Sequence, residues 1–216
     1  MKKIMFNDKY GLTQAVLSGR KTQTRRIAYN GDIKKPYIEW VRLASYKSFQ
    51  MLSKGRRMAA ISTYGKGEIV AVAQSYRDAG VEFIELYAGV LQGIPAPKGK
   101  EKWGFTKNMS GYTNKMFVRA DLMPHRICIT DIKMERLQDI SDEDCMKEGI
   151  RTTSIEKRHK SDPDVLMYYV PNLKNRVKDF FETPQKAYAS LIDRISGKGT
   201  WERNPYVFVY DFELID

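Results

Sequence analysis

Apolar residues recur at two spacings along the chain, and each spacing predicts a type of element. Helical spacing covers residues 8–18, where Gly19 is placed to end the helix, and residues 184–195. Runs typical of strands, which are either continuously apolar or alternating, are Glu68–Gln74, Arg126–Arg136 and Tyr206–Leu214. The closing run is apolar on both faces in its first half, which is typical of a central strand. Strands interrupted by short helices predict a mixed α+β, barrel-like domain.

Other segments give weaker patterns. Residues 36–64 are mixed and fit either short strands or a helix, whereas residues 78–92 have a helix-like pattern that ends at Gly93. Residues 94–113 are rich in glycine, proline, lysine and asparagine, so we predict a loop. Residues 155–176 are polar and charged without a firm period, and we predict that they are mostly irregular.

The segment Gly19–Arg26 contains a lysine, a threonine three residues later and three arginines. Nearby positive charges disfavour the charged form of Lys21, and a neutral amine can take a proton from a hydroxyl such as that of Thr24. Arginines also suit phosphate or another anion. The arginines concerned are Arg20, Arg25 and Arg26. The alternative interpretation is a solvated basic turn after a helix.

The catalytic interpretation of this segment makes a geometric demand. Residues 20–22 are predicted to form a turn, and Gln23–Ile27 an extended segment. Since positions three apart in a strand point to opposite faces, Lys21 and Thr24 meet only if the turn is tight.

A second segment, residues 137–150, has the capping residues of a short helix. Ser141 is a good N-cap with Asp144 at the N3 position, and Gly149 is placed to end a two-turn helix. Glu148 falls in the last turn, where the helix dipole disfavours a negative charge. A residue that breaks one local rule in a segment that obeys the others is a functional candidate. The alternative is a solvated glutamate paired with a nearby lysine.

Composition points to an anionic partner. The 216 residues fit one domain and contain 37 lysines and arginines against 26 acidic residues, a net charge of +11 spread over several clusters. Such a field favours nucleic acid or nucleotide ligands and argues against cationic substrates. The alternative is a soluble basic protein without a polyanionic partner.

The remaining composition predicts neither a cofactor nor a membrane segment. Two cysteines, Cys128 and Cys145, do not make a disulfide framework, and with only two histidines no metal-ligand spacing is found. No run approaches the ~18 apolar residues of a membrane helix, and the apolar run after Lys2 and Lys3 is too short for a signal peptide. We therefore predict a cytoplasmic protein with free thiols.

The two motifs together resemble the ASCH family of the PUA-like superfamily. The resemblance rests on Gly19–Arg26 and on Leu137–Asp144 followed by Glu148–Gly149. Asn204–Pro205 and the closing aromatic strand are similar to the end of the longer phage-associated and bacterial members. These segments cover about half of the chain, in the family's order.

The resemblance implies a small β-barrel with flanking helices, a fold shared with RNA-binding PUA domains. Residues 1–216 would then form a single ASCH-like domain with insertions at about 28–64 and 79–115. The family implies RNA or nucleotide binding in a cleft beside the barrel. Some small members are amidohydrolases that remove the acetyl group from N4-acetylcytidine. Their working residues fall here on Lys21, Thr24 and Glu148.

Three functions stay open at this point. In the first, Lys21 is the base, Thr24 the nucleophile and Glu148 the acid of an amide hydrolysis, and an arginine steadies the oxyanion or a phosphate. The second is a non-catalytic module that binds RNA, a nucleoside or a nucleotide in the same basic cleft. The third is an accessory protein of phage or mobile-element origin that binds another protein. The sequence predicts no oligomeric state.

Overall fold

The computed structural model describes residues 1–28, 40–42, 48–53, 56–80, 110–155, 165–172 and 179–215. The strands are β1 (Lys2–Ile4), β2 (Gln23–Ile27), β3 (Trp40–Arg42), β4 (Ser48–Ser53), β5 (Arg56–Ile61), β6 (Ile69–Val72), β7 (Arg126–Arg136), β8 (Arg151–Ile155), β9 (Val165–Tyr169), β10 (Phe180–Phe181) and β11 (Tyr206–Ile215). The helices are α1 (Leu12–Leu17), α2 (Tyr76–Ala79), α3 (Asp142–Lys147), α4 (Pro184–Ser196) and α5 (Thr200–Arg203).

The strands form three sheets. Five strands hydrogen-bond in the order β1-β6-β7-β11-β2, with β1 parallel to β6 and β11 antiparallel to β2. Strands β3, β4 and β5 form an antiparallel sheet, and β8, β9 and β10 form another. The α+β class predicted from the sequence is confirmed. Among the described strands the sheets do not close into a barrel, so the barrel stays a prediction.

The chain divides into two compact units. One consists of Met1–Phe6, Ile69–Ile127 and Leu214–Asp216, and its buried apolar cluster is formed by Ala71, Ala73, Tyr76, Val118 and Met123. The second unit consists of Asn7–Glu68 and Cys128–Glu213. Every residue predicted for the functional site lies in this second unit.

Several predicted elements are confirmed. Helix α1 is followed by Gly19 at φ 70°, and α4 ends at Gly197. Strand β11 lies between β7 and β2, as its apolar character on both faces predicts. The remaining confirmed elements are β2, β6, β7 and α3.

Other expectations differ from the structure or lie outside it. Val165–Tyr169 lies in the segment predicted to be mostly irregular, but it forms strand β9, which pairs with β8. The charged residues that precede this short apolar run in the sequence obscure its pattern. The mixed segment 36–64 contains the hairpin strands β3–β5. Helix α2 ends at Gly80, and the rest of the predicted helix, with the predicted loop up to residue 109, lies outside the described residues.

Within the described ranges, no helix combines the length and apolar character that crossing a bilayer would require.

Candidate functional site

The outer edge of β2, the side that faces away from β11, is where the site begins. The Thr22 carbonyl accepts a hydrogen bond from the backbone N–H of Phe212 at 2.8 Å, and Thr24 pairs with Tyr210. Because alternate residues of an antiparallel strand direct their backbone groups to the same neighbour, those of Gln23 and Arg25 point to the outer edge.

Lys21 lies at this outer edge and is 1% exposed. Its ammonium donates to the Gln23 carbonyl at 2.7 Å, to the Glu148 carbonyl at 2.9 Å and to Glu148 Oε2 at 2.5 Å. All three ammonium hydrogens therefore have acceptors. The structure thus brings together two of the three predicted catalytic residues, which are 127 positions apart in the chain.

Local sequence places Glu148 at this position. The Ser141 hydroxyl accepts a hydrogen bond from the Asp144 N–H at 3.1 Å and so begins α3 as predicted. Glu148 caps the end of α3, and Gly149 follows at φ 103°, where an added Cβ would lie 3.2 Å from Leu12 Cδ2. The glycine is therefore needed both for the turn and for the close approach to α1.

Glu148 is only 4% exposed, so it is not the solvated glutamate that the alternative interpretation required. A carboxylate at a helix C-terminus is unfavourable with respect to the dipole. The ammonium of Lys21 offsets this cost by direct contact. The unfavourable position of Glu148 at the end of α3 is therefore explained by an ion pair with a residue distant in sequence.

Arg25 is the centre of a larger group of charges, although the sequence suggested only an anion-binding role. Its guanidinium donates to three carboxylates and to the side-chain oxygen of Gln23. These contacts are Glu135 Oε1 at 2.7 and 3.1 Å, Asp144 Oδ2 at 2.9 Å, Glu148 Oε1 at 3.3 Å and Gln23 Oε1 at 2.5 Å. We call Lys21, Arg25, Glu135, Asp144 and Glu148 the buried charge cluster. The guanidinium of Arg25 is consequently buried and already bonded to side chains of the protein.

Electrostatics differ between the two cations of the cluster. Burial lowers the pKa of Lys21 below its ordinary value, although the carboxylate of Glu148 opposes this. Burial also disfavours the charged form of Arg25, but Glu148 and the other contacts outweigh it and raise the pKa of Arg25. Lys21 is thus the cation of the cluster that gives up its proton more readily.

Thr24 lies on the other face of β2 from Gln23 and Arg25, because side chains alternate along a strand. It is buried beside its cross-strand partner Tyr210, whose hydroxyl is 2.8 Å from the Ser62 hydroxyl. Thr24, the third predicted catalytic residue, is therefore close to Lys21 in sequence, but its side chain lies on the other face of β2 from that of Arg25.

Arg20 and Arg26 are exposed, unlike Arg25. Partial burial and the charge of Arg151, which is also exposed, lower the pKa of Arg20. Exposed arginines suit an anionic ligand. Arg151 was missed in the sequence because its neighbours carry no basic motif.

Tyr188 of α4 is a buried residue that helical spacing in the sequence places on the apolar face of that helix. It is 1% exposed, and in the described part of the chain its hydroxyl has no hydrogen-bond partner. Burial raises the pKa of Tyr188 well above its ordinary value, and the charge of Glu148 raises it further, whereas Arg25 lowers it.

The carboxylates of the cluster converge on Arg25 rather than on a metal position. Across the described residues, no group of histidine, cysteine and carboxylate side chains is arranged to hold a metal ion. Cys128 and Cys145 are free thiols, and burial raises the pKa of Cys145 to about 12.

The cluster should make stability depend on pH in acid. Burial opposes ionisation of Asp144, but hydrogen bonds from Arg25 and Lys147 outweigh it, so the pKa of Asp144 lies below its ordinary value. Its contribution is therefore complete above the unfolded-state pKa and is lost as the pH falls through the folded-state pKa. We expect urea unfolding of Asp144→Asn to show a weaker loss of stability than wild type between about pH 5 and pH 2. Equal slopes for the two proteins would contradict the contribution of Asp144.

Comparison with known proteins adds no assignment to this geometry. No protein-family model, no curated protein and no solved structure matches the chain.

Proposed function

We propose that this chain is an ASCH-like protein that binds a nucleoside or nucleotide and hydrolyses an amide on its base, as in N4-acetylcytidine. The observation that carries the proposal is the buried Lys21–Glu148 pair at the outer edge of β2. A base and an acid are the two groups that amide hydrolysis needs besides a nucleophile. Thr24, a buried residue of β2 three positions after Lys21, is the candidate nucleophile.

The hydrogen bond between Lys21 and Glu148 suggests how the pair works. Transfer of one proton from the ammonium to the carboxylate turns the ion pair into a neutral amine and a carboxylic acid. Burial lowers the pKa of Lys21, which favours the neutral amine. The cluster then holds a general base and a general acid side by side.

The reaction follows from these two groups. The Lys21 amine takes the Thr24 proton while the Thr24 oxygen attacks the amide carbon. The carbon–nitrogen bond then breaks, and the Glu148 proton passes to the leaving nitrogen. Water next hydrolyses the threonine ester, which releases the carboxylic acid and restores the hydroxyl. Thr24 has to reach Lys21 around the outer edge of β2, where the ammonium lies.

A second candidate is a non-catalytic RNA- or nucleotide-binding module. Two observations favour it: the ammonium of Lys21 has an acceptor for each hydrogen, and Thr24 lies on the opposite face of β2 from Arg25. A binding module needs the exposed arginines and the net charge of +11, but no nucleophile.

Two substitutions separate the candidates. Thr24→Val keeps the shape of the side chain and removes the hydroxyl, whereas Lys21→Arg keeps the charge and removes a group that can become neutral. We expect each to abolish release of acetate from N4-acetylcytidine, measured by mass spectrometry. Thr22→Val is the matched control, because it makes the same change at a threonine just before β2, and it should retain activity.

The outcomes are distinct. Full activity in both Thr24→Val and Lys21→Arg would overturn the proposed roles. A wild-type protein that cleaves no acylated nucleoside, yet binds RNA with an affinity that falls steeply with salt, would select the binding module instead.

A further inference from the structure

The side chain of Gln23 links a cation to an anion inside the protein. Gln23 is only 2% exposed, and both ends of its amide are bonded. The oxygen Oε1 accepts a hydrogen bond from Arg25 Nη1 at 2.5 Å, and the nitrogen Nε2 donates to Asp211 Oδ1 at 2.7 Å. A flipped amide would set its NH2 group against the guanidinium and its oxygen against the carboxylate. The two neighbours of Gln23 therefore fix the orientation of its amide.

Strand pairing places these three side chains together. Gln23 and Arg25 are two positions apart on β2, so their side chains lie on the same face of the strand. Asp211 of β11 is the cross-strand partner of Gln23 in the antiparallel pair of β2 and β11. Because directly paired residues have neighbouring side chains on one face of a sheet, Asp211 meets the Nε2 end of the amide. Asp211 is partly exposed, whereas Gln23 and Arg25 are buried.

The guanidinium of Arg25 has an acceptor for each of its five hydrogens. Its Nε and Nη2 atoms donate to Glu135 and Asp144 through three hydrogen bonds. Its Nη1 atom donates to Gln23 Oε1 and, at 3.3 Å, to Glu148 Oε1, which is the longest of the five bonds. Since the guanidinium is planar and rigid, the shorter contacts set the direction of the longest one. The bond to Gln23, made by the same nitrogen, sets it most directly.

The two oxygens of Glu148 have different partners. Oε1 accepts from Arg25, and Oε2 accepts from Lys21. A carboxylate that is held at Oε1 keeps Oε2 directed at the Lys21 ammonium. Without the contact to Arg25, the carboxylate is free to rotate about its terminal bond, and the Lys21 proton no longer has one defined acceptor. The position of Arg25 thus decides which oxygen of Glu148 faces Lys21.

We propose that Gln23 is a positioning residue of the Lys21–Glu148 pair: its amide, oriented by Asp211, directs Arg25 to Glu148 Oε1 and so leaves Oε2 to Lys21. That this pair acts as base and acid rests on the proposed function. The role requires no contact between Gln23 and the substrate. Loss of the Gln23 side chain should therefore slow the proton transfers without weakening ligand binding.

Gln23→Met tests this role, because methionine has a similar length but neither accepts from Arg25 nor donates to Asp211. The backbone carbonyl of residue 23, which accepts from Lys21, is retained. On N4-acetylcytidine we expect kcat to fall about tenfold or more and KM to change less than about twofold. The matched control is Gln74→Met, the same substitution at a buried glutamine of the other unit, which should leave kcat unchanged.

Asp211→Ala is a milder second variant, which keeps the test open if Gln23→Met does not fold. Asp211 is partly exposed, and the bond between Gln23 and Arg25 is not removed by this change. Only the contact that orients the amide is lost, so we expect kcat to fall about threefold, less than in Gln23→Met.

A second measurement needs no substrate. Part of the stability that Gln23→Met loses belongs to the contact between Arg25 and Glu148. The loss should therefore be smaller when Glu148→Gln has already weakened that contact. Urea unfolding of the wild type, the two single variants and the double variant measures this difference. Gln74→Met should lose the same stability with and without Glu148→Gln, because it changes a residue of the other unit.

The two measurements separate this inference from the proposed function. An unchanged kcat in Gln23→Met or Asp211→Ala, or additive losses in the stability cycle, would overturn the positioning role while the proposed hydrolysis stands. A wild-type protein inactive on N4-acetylcytidine would overturn the proposed hydrolysis. The stability cycle would then decide by itself whether Gln23 holds Arg25 against Glu148.

Discussion

Arg25→Met should lower the free energy of unfolding by about 3–5 kcal/mol, the usual cost of breaking a buried ion pair by removing one partner. Glu135, Asp144 and Glu148 all accept hydrogen bonds from this guanidinium, whose side chain is 0% exposed. Without it, three carboxylates lose their buried cationic partner, although lysines still contact each of them. Urea denaturation monitored by circular dichroism measures the loss.

The control for this experiment is Arg20→Met, which removes an exposed arginine of the same motif. We expect a change within about 0.5 kcal/mol for it. A similar effect of the two substitutions would show that the carboxylates near Arg25 are solvated, contrary to the enclosed geometry.

Lys21→Met and Glu148→Gln should each destabilise the protein and abolish turnover. The double variant should recover part of the lost stability but should remain inactive. Each single change leaves one group of a buried pair without its partner. The double variant leaves no uncompensated charge at the Lys21 and Glu148 positions, so its stability should exceed the value expected from adding the two single losses. The measurements are urea denaturation of all four proteins and hydrolysis of N4-acetylcytidine.

This cycle distinguishes a structural pair from a functional one. A double variant that is stable but inactive would mean that the charges serve chemistry rather than folding. Turnover by the double variant would contradict the proposed acid and base. Strictly additive stability losses would show that the two side chains are not coupled.

Local rules in the sequence were sufficient to predict α3 and to single out Glu148. Ser141 and Gly149 carry their signals within a few residues, and the negative charge at the helix end conflicts with the dipole whatever the fold. The group that compensates for this conflict is Lys21, which is 127 positions away in the chain. The sequence could therefore predict the candidate position but not its contact.

Arg25 shows the opposite case. In the sequence it is one of three arginines, and nothing local separates it from Arg20 or Arg26. Strand alternation and the carboxylates of Glu135 and Asp144, 110 and 119 positions away, enclose it. Helical spacing likewise predicts that Tyr188 is buried, but not that its hydroxyl has no hydrogen-bond partner among the described residues.

Strand β9 was missed because sheets are stabilised by pairing between segments rather than by local pattern. Its five residues, Val165–Tyr169, lie within residues 155–176, which gave no clear period, and they pair with Arg151–Ile155. Helix α4, by contrast, has its apolar residues on one face over 13 residues, so its extent could be predicted to within a residue.

The position of Lys21 also bears on how this chain meets other chains. A strand at the end of a sheet offers unpaired backbone groups to any extended peptide, and proteins often protect such edges with lysine. Here the ammonium of Lys21 occupies the Gln23 carbonyl, and the end of α3 lies over it through Glu148. An added strand would have to break a buried ion pair before it could form its first hydrogen bond at this point. The pair that we propose for chemistry should therefore also hinder the addition of a strand to β2, the last described strand of its sheet.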